Sequence, residues 1–409
     1  LRIGARLGSW SAGLLAAALV FTSPPIFDTA TRHPGDMAFA ALVAAAVAAE
    51  LARPRRGPVV LALLALAGLL RPEAWLLAAV YWLYLLPGRA WSERLRLGAL
   101  VASAPLAWMA TDALLTGDPL YSVDATRGYT EKAAAAASLA DVGSAIGSVS
   151  GWPLVLGALA GAALAWRDGR RGVAVPLAAG AVALLATVAP SLLGESPVLR
   201  RYLVLPGAML AALFALCALG WTGARGAAVA WRAGGLALAA LAIVGLAGDR
   251  VRVWDSQRRA QEERAALIDH LGDWVTAPAQ HAYLASPGCR PIGVPAGVYR
   301  PYLRYWLDVP ARATAVHFRG PAPKAGTVLM PTAADRYQRR TLGIAGRTTR
   351  ADVLARPQFA ARFRLVARSP RWELYAGPAC RPAAARAIRS SAGRSEPIGA
   401  SRFAQRPRT

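Results

Sequence analysis

This chain is short of lysine and of acidic residues, and arginine carries most of its charge. Its 409 residues contain 47 Lys plus Arg against 23 Asp plus Glu, a formal charge of +24, yet Lys132 and Lys324 are the only lysines. Clustered cations of this kind would suggest nucleic acid, because they neutralise phosphates. The arginines instead occupy short connections between apolar runs, at Arg53, Arg55, Arg56, Arg89, Arg94, Arg96, Arg167, Arg170 and Arg171. This distribution argues against nucleic acid as a partner and is typical of the cytoplasmic loops of a membrane protein.

The sequence also lacks the motifs of soluble cofactor enzymes and metalloenzymes. It contains no P-loop, no dinucleotide-binding glycine pattern after a strand, no His-Glu-x-x-His and no nucleophile elbow. Its three cysteines show no Cys/His spacing typical of a metal site, so no residue is assigned to a metal. Cys217 lies in an apolar stretch, where a small buried thiol is expected. Cys289 and Cys380 lie in the polar C-terminal part; if that part is extracytoplasmic they can form a disulfide, and the sequence leaves paired and free thiols equally open.

Apolar sequence is abundant, with 55% hydrophobic residues and a mean hydropathy of +0.34. Uncharged runs such as 38–49 and 173–188 suit a bilayer, where an unpaired charge near the centre costs about 2.5–3.5 kcal/mol. Nine stretches have close to the roughly 20 residues of a membrane helix, or fewer where a helix is tilted or partly re-entrant. They lie near 7–23, 36–52, 58–70, 74–87, 97–115, 151–166, 173–193, 203–221 and 230–248. We therefore predict a polytopic α-helical membrane protein with about nine transmembrane helices in residues 1–248.

Charge counting predicts which loops face the cytoplasm. The arginine-rich connections 53–57, 88–96, 167–172 and 222–232 are assigned to the cytoplasm, which places 24–35, 71–73, 117–150, 194–202 and everything after 248 outside. Every alternate loop is the more basic one, except that the outer segment 71–73 holds Arg71 and the outer segment 194–202 holds Arg200 and Arg201. A cation on the unexpected side is a functional candidate, because it needs a partner. We expect a multi-pass protein of the cell membrane with an extracytoplasmic C-terminal domain.

After residue 248 charges become frequent and the apolar residues are dispersed. Residues 255–275 predict a helix with Leu267, Ile268, Leu271 and Trp274 on one face. Short strands are predicted at 281–285, 313–318, 327–330, 363–367 and 372–375, with helices at 299–307 and 333–341. This alternation predicts a small extracytoplasmic α/β domain over residues 249–380. The tail 381–409, rich in Arg, Ser, Ala and Pro, is expected to be disordered.

The most informative motif is GLLRPEAW at 68–75, where an arginine, a proline and a glutamate separate two apolar helices. At membrane depth Arg71 and Glu73 must pair or face water, which makes a functional site the leading hypothesis. A plain hairpin turn with an incidental salt bridge is the alternative.

A second motif, ESPVLRRYL at 195–203, precedes an apolar helix on the same predicted side. Two guanidinium groups, from Arg200 and Arg201, suit the bidentate binding of a phosphate, and Tyr202 can donate to an oxyanion. An aromatic and basic interfacial belt explains the same residues equally well.

Two further motifs are weaker. Asp36, in the RHPGD segment at 32–36, is suited to the N-terminus of the second predicted helix, and capping is at least as good an explanation as catalysis. His33 is a candidate ligand or proton carrier. The TGDPLYS segment at 116–122 is explained by turn formation alone.

These motifs resemble the GT-C superfamily of polytopic glycosyltransferases, particularly bacterial aminoarabinose transferases and protein O-mannosyltransferase-like proteins. The resemblance rests on GSWSAGLLAAALVFTSPP at 8–25 followed by Asp36, then GLLRPEAW, TGDPLYS and ESPVLRRYLVLP at 195–206, in the family's usual order. It implies a hexosyl- or pentosyltransferase that moves a sugar from a polyprenyl-phosphate carrier in the bilayer to a lipid, glycan or protein acceptor outside the cytoplasmic membrane.

The resemblance also implies roles for individual residues. Arg200, Arg201 and Tyr202 would hold the carrier phosphate, while Arg71, Glu73, Asp36 and His33 would line the outer cavity. A divalent metal stays open as a cofactor. The family's catalytic carboxylate follows a first membrane helix that does not precede Gly8 here, so we expect the chain to be truncated at its N-terminus or the protein to be inactive. The C-terminal domain, with GCRPIGVP at 288–295, resembles domains appended to some members.

Two other classes of protein remain open. A polytopic transporter or flippase of a lipid-linked intermediate would predict inverted repeats and polar residues midway through helices, and the marked helices are nearly free of both. A non-catalytic membrane scaffold is the third hypothesis, and it fits a protein without a catalytic loop.

Overall fold

A computed structural model describes most of the chain. The described residues are 1–124, 138–193, 199–223, 229–294, 299–316, 326–332, 359, 361–378 and 380. The chain divides into two compact units, Leu1–Trp254 and Asp255–Thr409, whose boundary lies inside one long helix, a few residues beyond the expected boundary at 248. The first unit is helical, and the second carries a small β-sheet.

The described part of the first unit is built from apolar helices. They are α1 (Arg2–Leu7), α2 (Trp10–Phe21), α3 (Pro24–Arg32), α4 (Pro34–Ala52), α5 (Pro58–Leu70), α6 (Glu73–Leu85), α7 (Trp91–Thr116), α8 (Leu139–Ser150), α9 (Trp152–Arg167), α10 (Ala174–Leu192), α11 (Val204–Leu219) and α12 (Val229–Thr276), which continues into the second unit. Short 3-10 turns at Arg171–Val173 and Arg200–Leu203 precede α10 and α11. Pro24, Pro34 and Pro58 stand at the starts of α3, α4 and α5, where a proline costs no hydrogen bond.

Fewer helices are long enough to cross a membrane than the nine that the sequence predicts. Four described segments qualify by length and apolarity, and they are Pro34–Ala52, Trp91–Thr116, Arg171–Leu192 and Arg200–Gly223. Two bent pairs raise the number to six, with a bend of 61° between α2 and α3 and of 86° between α8 and α9. Helices α5 and α6 are apolar but have only 13 residues each, about 20 Å of helix against a hydrocarbon core of about 30 Å.

Helix α11 is the central helix of the first unit. In its segment Arg200–Gly223, 78% of the most apolar window is buried, against 11% for Trp91–Thr116, which contains α7. Helix α9 packs closely on α11 because Gly157 and Gly161 leave room for Phe214 and for the Leu213 carbonyl. The polar segment just before α11 is therefore anchored to the most buried helix of the bundle.

The arginine-rich connections between helices gather at one end of the first unit, which we call the basic end (connections 53–57, 86–90 and 168–173). The Arg55 Nη2 donates to the carbonyl of Pro87 at 2.9 Å, and the Arg89 Nη2 donates to the carbonyl of Arg55 at 3.0 Å. The third connection joins them through Gly172, which lies against Leu51 at the end of α4. Since α4 ends and α5 begins here, the N-terminus of α4 and the C-terminus of α5 lie at the opposite end.

The second unit contains a five-stranded sheet in the order β2-β1-β3-β5-β4. Its strands are β1 (Ile292–Val294), β2 (Thr314–Val316), β3 (Thr327–Pro331), β4 (Arg364–Arg368) and β5 (Trp372–Ala376). β1 pairs in parallel with β2 and β3, while β5 is antiparallel to β3 and β4. Helices α13 (Pro278–Ala285), α14 (Arg300–Leu307) and the end of α12 supply the rest of the main core, where Leu271, Tyr283 and Leu303 are buried.

Most predicted elements in the described part of this unit are present, but one strand prediction was wrong. Residues 281–285 belong to helix α13, because Pro278 starts a helix and the buried residues Gln280, Tyr283 and Leu284 follow helical spacing. The sequence reading missed β1, whose three buried residues are too few to show alternation. The predicted helix 333–341 and the tail 381–409 lie outside the described residues.

A disulfide joins Cys289 to Cys380, with Cα atoms 4.6 Å apart. The two cysteines are 91 residues apart in sequence, and all five strands of the sheet lie between them in the chain. The hydroxyl of Thr327, at the start of β3, donates to the Cys289 carbonyl at 3.1 Å. The disulfide thus fixes the segment before β1 and the segment after β5 to the centre of the sheet.

Candidate functional site: an arginine–carboxylate cluster

Three of the motifs found in the sequence meet at the end of the first unit opposite the basic end. The start of α4, the turn between α5 and α6, and the 3-10 turn before α11 bring their polar side chains into contact there. We call this group the arginine–carboxylate cluster, and its members are His33, Asp36, Arg71, Glu73, Arg201 and Tyr202. All were candidate residues of the sequence reading.

Arg71 is the buried centre of the cluster. Its Nη1 donates to the Oδ1 of Asp36 at 3.3 Å, and its Nε donates to an oxygen of Glu73 at 3.2 Å, with a second bond from Nη2 to the other Glu73 oxygen. The guanidinium carbon lies 4.2 Å from the ring centre of Tyr202 and 5.1 Å from that of Phe39. Arg71 is therefore held at its edges by two carboxylates and contacted by two aromatic rings, an arrangement suited to its flat, delocalised charge.

Three of the charges in the cluster sit where a helix end favours their sign. Arg71 immediately follows the last residue of α5, near the partial negative charge of that helix's C-terminus. Asp36 and Glu73 lie in the first turns of α4 and α6, near partial positive charges. Helix ends stabilise such charges by about 0.3–1 kcal/mol each. Three neighbouring helix ends thus place one cation between two carboxylates.

Arg201 is held more loosely than Arg71. Its side chain is 35% exposed, against 10% for Arg71. Its Nη2 donates to the Tyr202 hydroxyl at 3.1 Å, its Nη1 lies 3.4 Å from the Nδ1 of His33, and its Nε lies 4.0 Å from the Oδ2 of Asp36. The Arg201 guanidinium is the partly open side of the cluster.

The neighbouring Arg200 is exposed and makes no hydrogen bond or ion pair with another described residue. The charges of Arg71 and Arg201 are balanced by those of Asp36 and Glu73. Arg200 therefore adds a positive charge that no carboxylate of the described residues pairs with. The chemistry that this arrangement offers is the binding of an anion between Arg200 and the open side of Arg201.

The cluster is poorly suited to a metal ion. Both oxygens of Glu73 and one oxygen of Asp36 are already bound by Arg71. Across the described residues, no group of three or more His, Cys, Asp or Glu side chains lies close enough to hold a metal. The divalent metal considered from the sequence has no donor set in this part of the chain, and we derive no step through it.

The TGDPLYS segment stays outside the cluster and forms a local turn. The Oδ1 of Asp118 accepts from the Leu120 backbone at 2.9 Å, and Asp112 binds both the backbone and the hydroxyl of Ser122. This is the turn chemistry expected from the sequence. Residues 195–198 of the ESPVLRRYL motif lie outside the described part of the chain.

The sequence reading missed Phe39. It lies one helical turn after Asp36 in α4 and contacts the guanidinium of Arg71. Residues at i and i+3 share a helix face, so the spacing from Asp36 was a usable signal.

Comparison with known proteins leaves this site as the main guide to function, since no family model, no curated protein and no solved structure matches the chain. The structure itself defines a mostly helical protein with a small C-terminal sheet, and its described residues include four to six apolar helices that are long enough to cross a membrane.

Proposed function

We propose that this protein is a multi-pass glycosyltransferase of the cell membrane that moves a sugar from a polyprenyl-phosphate carrier to an extracytoplasmic lipid, glycan or protein acceptor. The observation that carries the proposal is the arginine–carboxylate cluster. Its central arginine is fully paired and buried, and two further arginines, Arg200 and Arg201, remain exposed in whole or part beside it. The buried, paired arginine holds the site together, and the exposed arginines offer positive charge that can bind a phosphate.

The proposal places the cluster outside the membrane and the basic end in the cytoplasm. Short connections rich in arginine are retained on the cytoplasmic side of membrane proteins. Exposed tryptophans flank the basic end, at Trp10, Trp91 and Trp166, and Tyr121 and Trp152 are exposed on segments that lead to or from the other end. Aromatic residues at both ends of an apolar bundle are typical of the two membrane interfaces.

We further propose that nine helices cross the membrane, including the short ones. Helices α5 and α6 run between the same two ends as the longer α4, which supports counting them as passes despite their 13 residues each. The bilayer can thin locally around such short helices. With nine passes the second unit is extracytoplasmic, which agrees with its disulfide between Cys289 and Cys380.

In the proposed reaction the acceptor hydroxyl oxygen bonds to the anomeric carbon of the sugar and releases its proton to water. The bond from that carbon to the phosphate oxygen breaks, and the polyprenyl phosphate leaves with the electron pair. Negative charge grows on the phosphate as this bond breaks. Arg200 and Arg201 would stabilise that charge, because preorganised cations act most strongly where charge develops. Arg71, already neutralised by Asp36 and Glu73, positions Tyr202 and Asp36 around them.

The first test is the binding of polyprenyl monophosphate to the purified full chain in nanodiscs of neutral lipid. We expect Arg201→Ala to weaken binding by at least about tenfold, the size of one lost charged hydrogen bond of about 1.5–3 kcal/mol. Arg56→Ala, which removes an exposed arginine at the basic end, is the matched control and should bind as the wild type does.

The second test is sugar transfer from a panel of polyprenyl-phosphate-linked sugars. Arg201→Ala should abolish transfer while leaving membrane insertion intact. Normal turnover by this variant would remove Arg201 from the mechanism. Phosphate binding without transfer of any sugar would favour a flippase or a scaffold instead.

A further inference from the structure

Two buried polar atoms in the cluster face each other without a hydrogen bond. They are the Nε of Arg201 and the Oδ2 of Asp36, which lie 4.0 Å apart and have no hydrogen-bond partner among the described residues. Buried polar atoms left in this way cost free energy, and each therefore favours a new partner. The contact between Arg201 and Asp36 is therefore a long ion pair without a hydrogen bond, and it is weaker than the contacts that Arg71 makes.

The two carboxylates of the cluster differ in what they neutralise. Both oxygens of Glu73 bind Arg71, so Glu73 serves that arginine alone. Asp36 is divided, with its Oδ1 on Arg71 and its Oδ2 directed at Arg201. For Arg201, Asp36 is the one carboxylate within ion-pair distance among the described residues.

We infer that Asp36 competes with the ligand's phosphate for Arg201, and so determines how tightly the carrier phosphate is held. The inference rests on the proposed function, because it takes phosphate as the ligand of Arg201. An arriving phosphate can form the short, charged hydrogen bonds that Asp36 does not form with Arg201. The bond from Arg71 to Oδ1 keeps Asp36 in place meanwhile, so the carboxylate is ready to pair with Arg201 again. This competition favours release of the polyprenyl phosphate after the sugar has left.

The test compares two variants that change the cluster by the same single charge. Asp36→Asn removes the competitor, while its amide oxygen still accepts from Arg71. Glu73→Gln removes a carboxylate that touches only Arg71. In nanodiscs of neutral lipid, Asp36→Asn should bind polyprenyl monophosphate about fivefold more tightly than the wild type, which is the upper end of the range for a partly exposed ion pair. Glu73→Gln removes the same charge from the cluster but leaves Asp36 directed at Arg201, so it should raise the affinity clearly less than Asp36→Asn does, by about twofold.

Two further measurements keep the result unambiguous. Asp36→Glu retains the competing charge and should bind without the fivefold gain, which excludes a general effect of altering position 36. Inorganic phosphate as a competitor of the lipid separates recognition of the phosphate from recognition of the polyprenyl chain. Tighter binding of inorganic phosphate by Asp36→Asn would place the competition at the phosphate itself.

Each outcome decides between the two proposals. Wild-type binding with no gain in Asp36→Asn, or an equal gain in Glu73→Gln, would overturn the competition while leaving the proposed function in place. Binding by Asp36→Asn but not by the wild type would support the competition in its strongest form. No binding by any variant would overturn both the competition and the proposed phosphate site.

Discussion

The two ends of the first unit use the same residue type in different ways. At the basic end, arginines donate to backbone carbonyls, as Arg55 does to Pro87 and Arg170 does to Leu7, and their ion pairs are local. Those ion pairs join Arg89 to Glu93 and Arg170 to Asp168, which lie only a few residues apart in sequence. At the opposite end, Arg71 and Arg201 both pair with Asp36, and Arg71 contacts the ring of Tyr202, and these contacts join distant segments of the chain. The arginines at the basic end therefore hold connections between helices in place. The arginines of the cluster join side chains of several helices and so form a candidate binding site.

The largest effect that would sharpen this comparison is expected from Arg71→Met. The substitution leaves Glu73 without a partner in a setting where its side chain is 20% exposed, and it takes one of two partners from Asp36. Breaking a buried ion pair from one side costs about 3–5 kcal/mol. Thermal unfolding of the purified protein in detergent should show a clearly lower midpoint.

The double variant Arg71→Met with Glu73→Gln supplies the control. Removing both charges avoids leaving a carboxylate unpaired, so part of the lost stability should return. If the double variant is no more stable than the single one, the loss comes from packing against Phe39 and Tyr202 rather than from charge.

A smaller effect is expected at the basic end from Arg55→Ala. Arg55 donates to three carbonyls at the end of α6, at Tyr84, Leu85 and Pro87, but its side chain lies at an exposed position. We expect a loss of about 1–2 kcal/mol, at the low end for several charged hydrogen bonds because water can replace them. The same unfolding measurement checks it.

Arg53→Ala, which removes an exposed arginine two positions away, should leave the unfolding midpoint unchanged. Polyprenyl monophosphate binding should be normal in both basic-end variants. Weakened binding in Arg55→Ala would contradict the separation of roles between the two ends.

A smaller loss of stability than that of Arg55→Ala is expected from Arg201→Ala, although this variant has the largest expected effect on binding. Its ion pair with Asp36 is long and its side chain is 35% exposed, so the loss should stay within about 1 kcal/mol. A loss as large as that of Arg71→Met would show that Arg201 supports the fold, and the open side of the cluster would then need another explanation.

The sequence predicted the members of the cluster better than it predicted the helices. Charges at apolar helix ends identified Arg71, Glu73, Asp36 and Arg201 without any knowledge of their contacts. The pairing of Arg71 with Asp36, 35 residues away, could not be read from the sequence, because it depends on how α4 packs beside α5. The sequence also could not show that Arg71 is buried while Arg201 is partly exposed, and this difference determines their different roles.

The number of membrane spans and the short strands were the weaker part of the sequence-based prediction. The apolar runs predicted at 58–70 and 74–87 agree with α5 and α6 to within two residues, but these helices have only 13 residues each and are shorter than the segments that are long enough to span a membrane. In the second unit, the apolar residues of 281–285 suited a strand as well as a helix, and Pro278 decided in favour of α13. Short segments carry too little periodicity for the pattern alone to settle their structure.

The central claim is that the cluster and the basic end face opposite sides of a membrane. The most direct test uses a Cys217→Ser background and adds either Arg200→Cys or Arg53→Cys, both at exposed positions. A membrane-impermeant maleimide is then applied to intact cells. The account predicts that Arg200→Cys is labelled from outside, whereas Arg53→Cys is labelled only after the membrane is permeabilised. Labelling of both from the same side, or the reverse pattern, would contradict it.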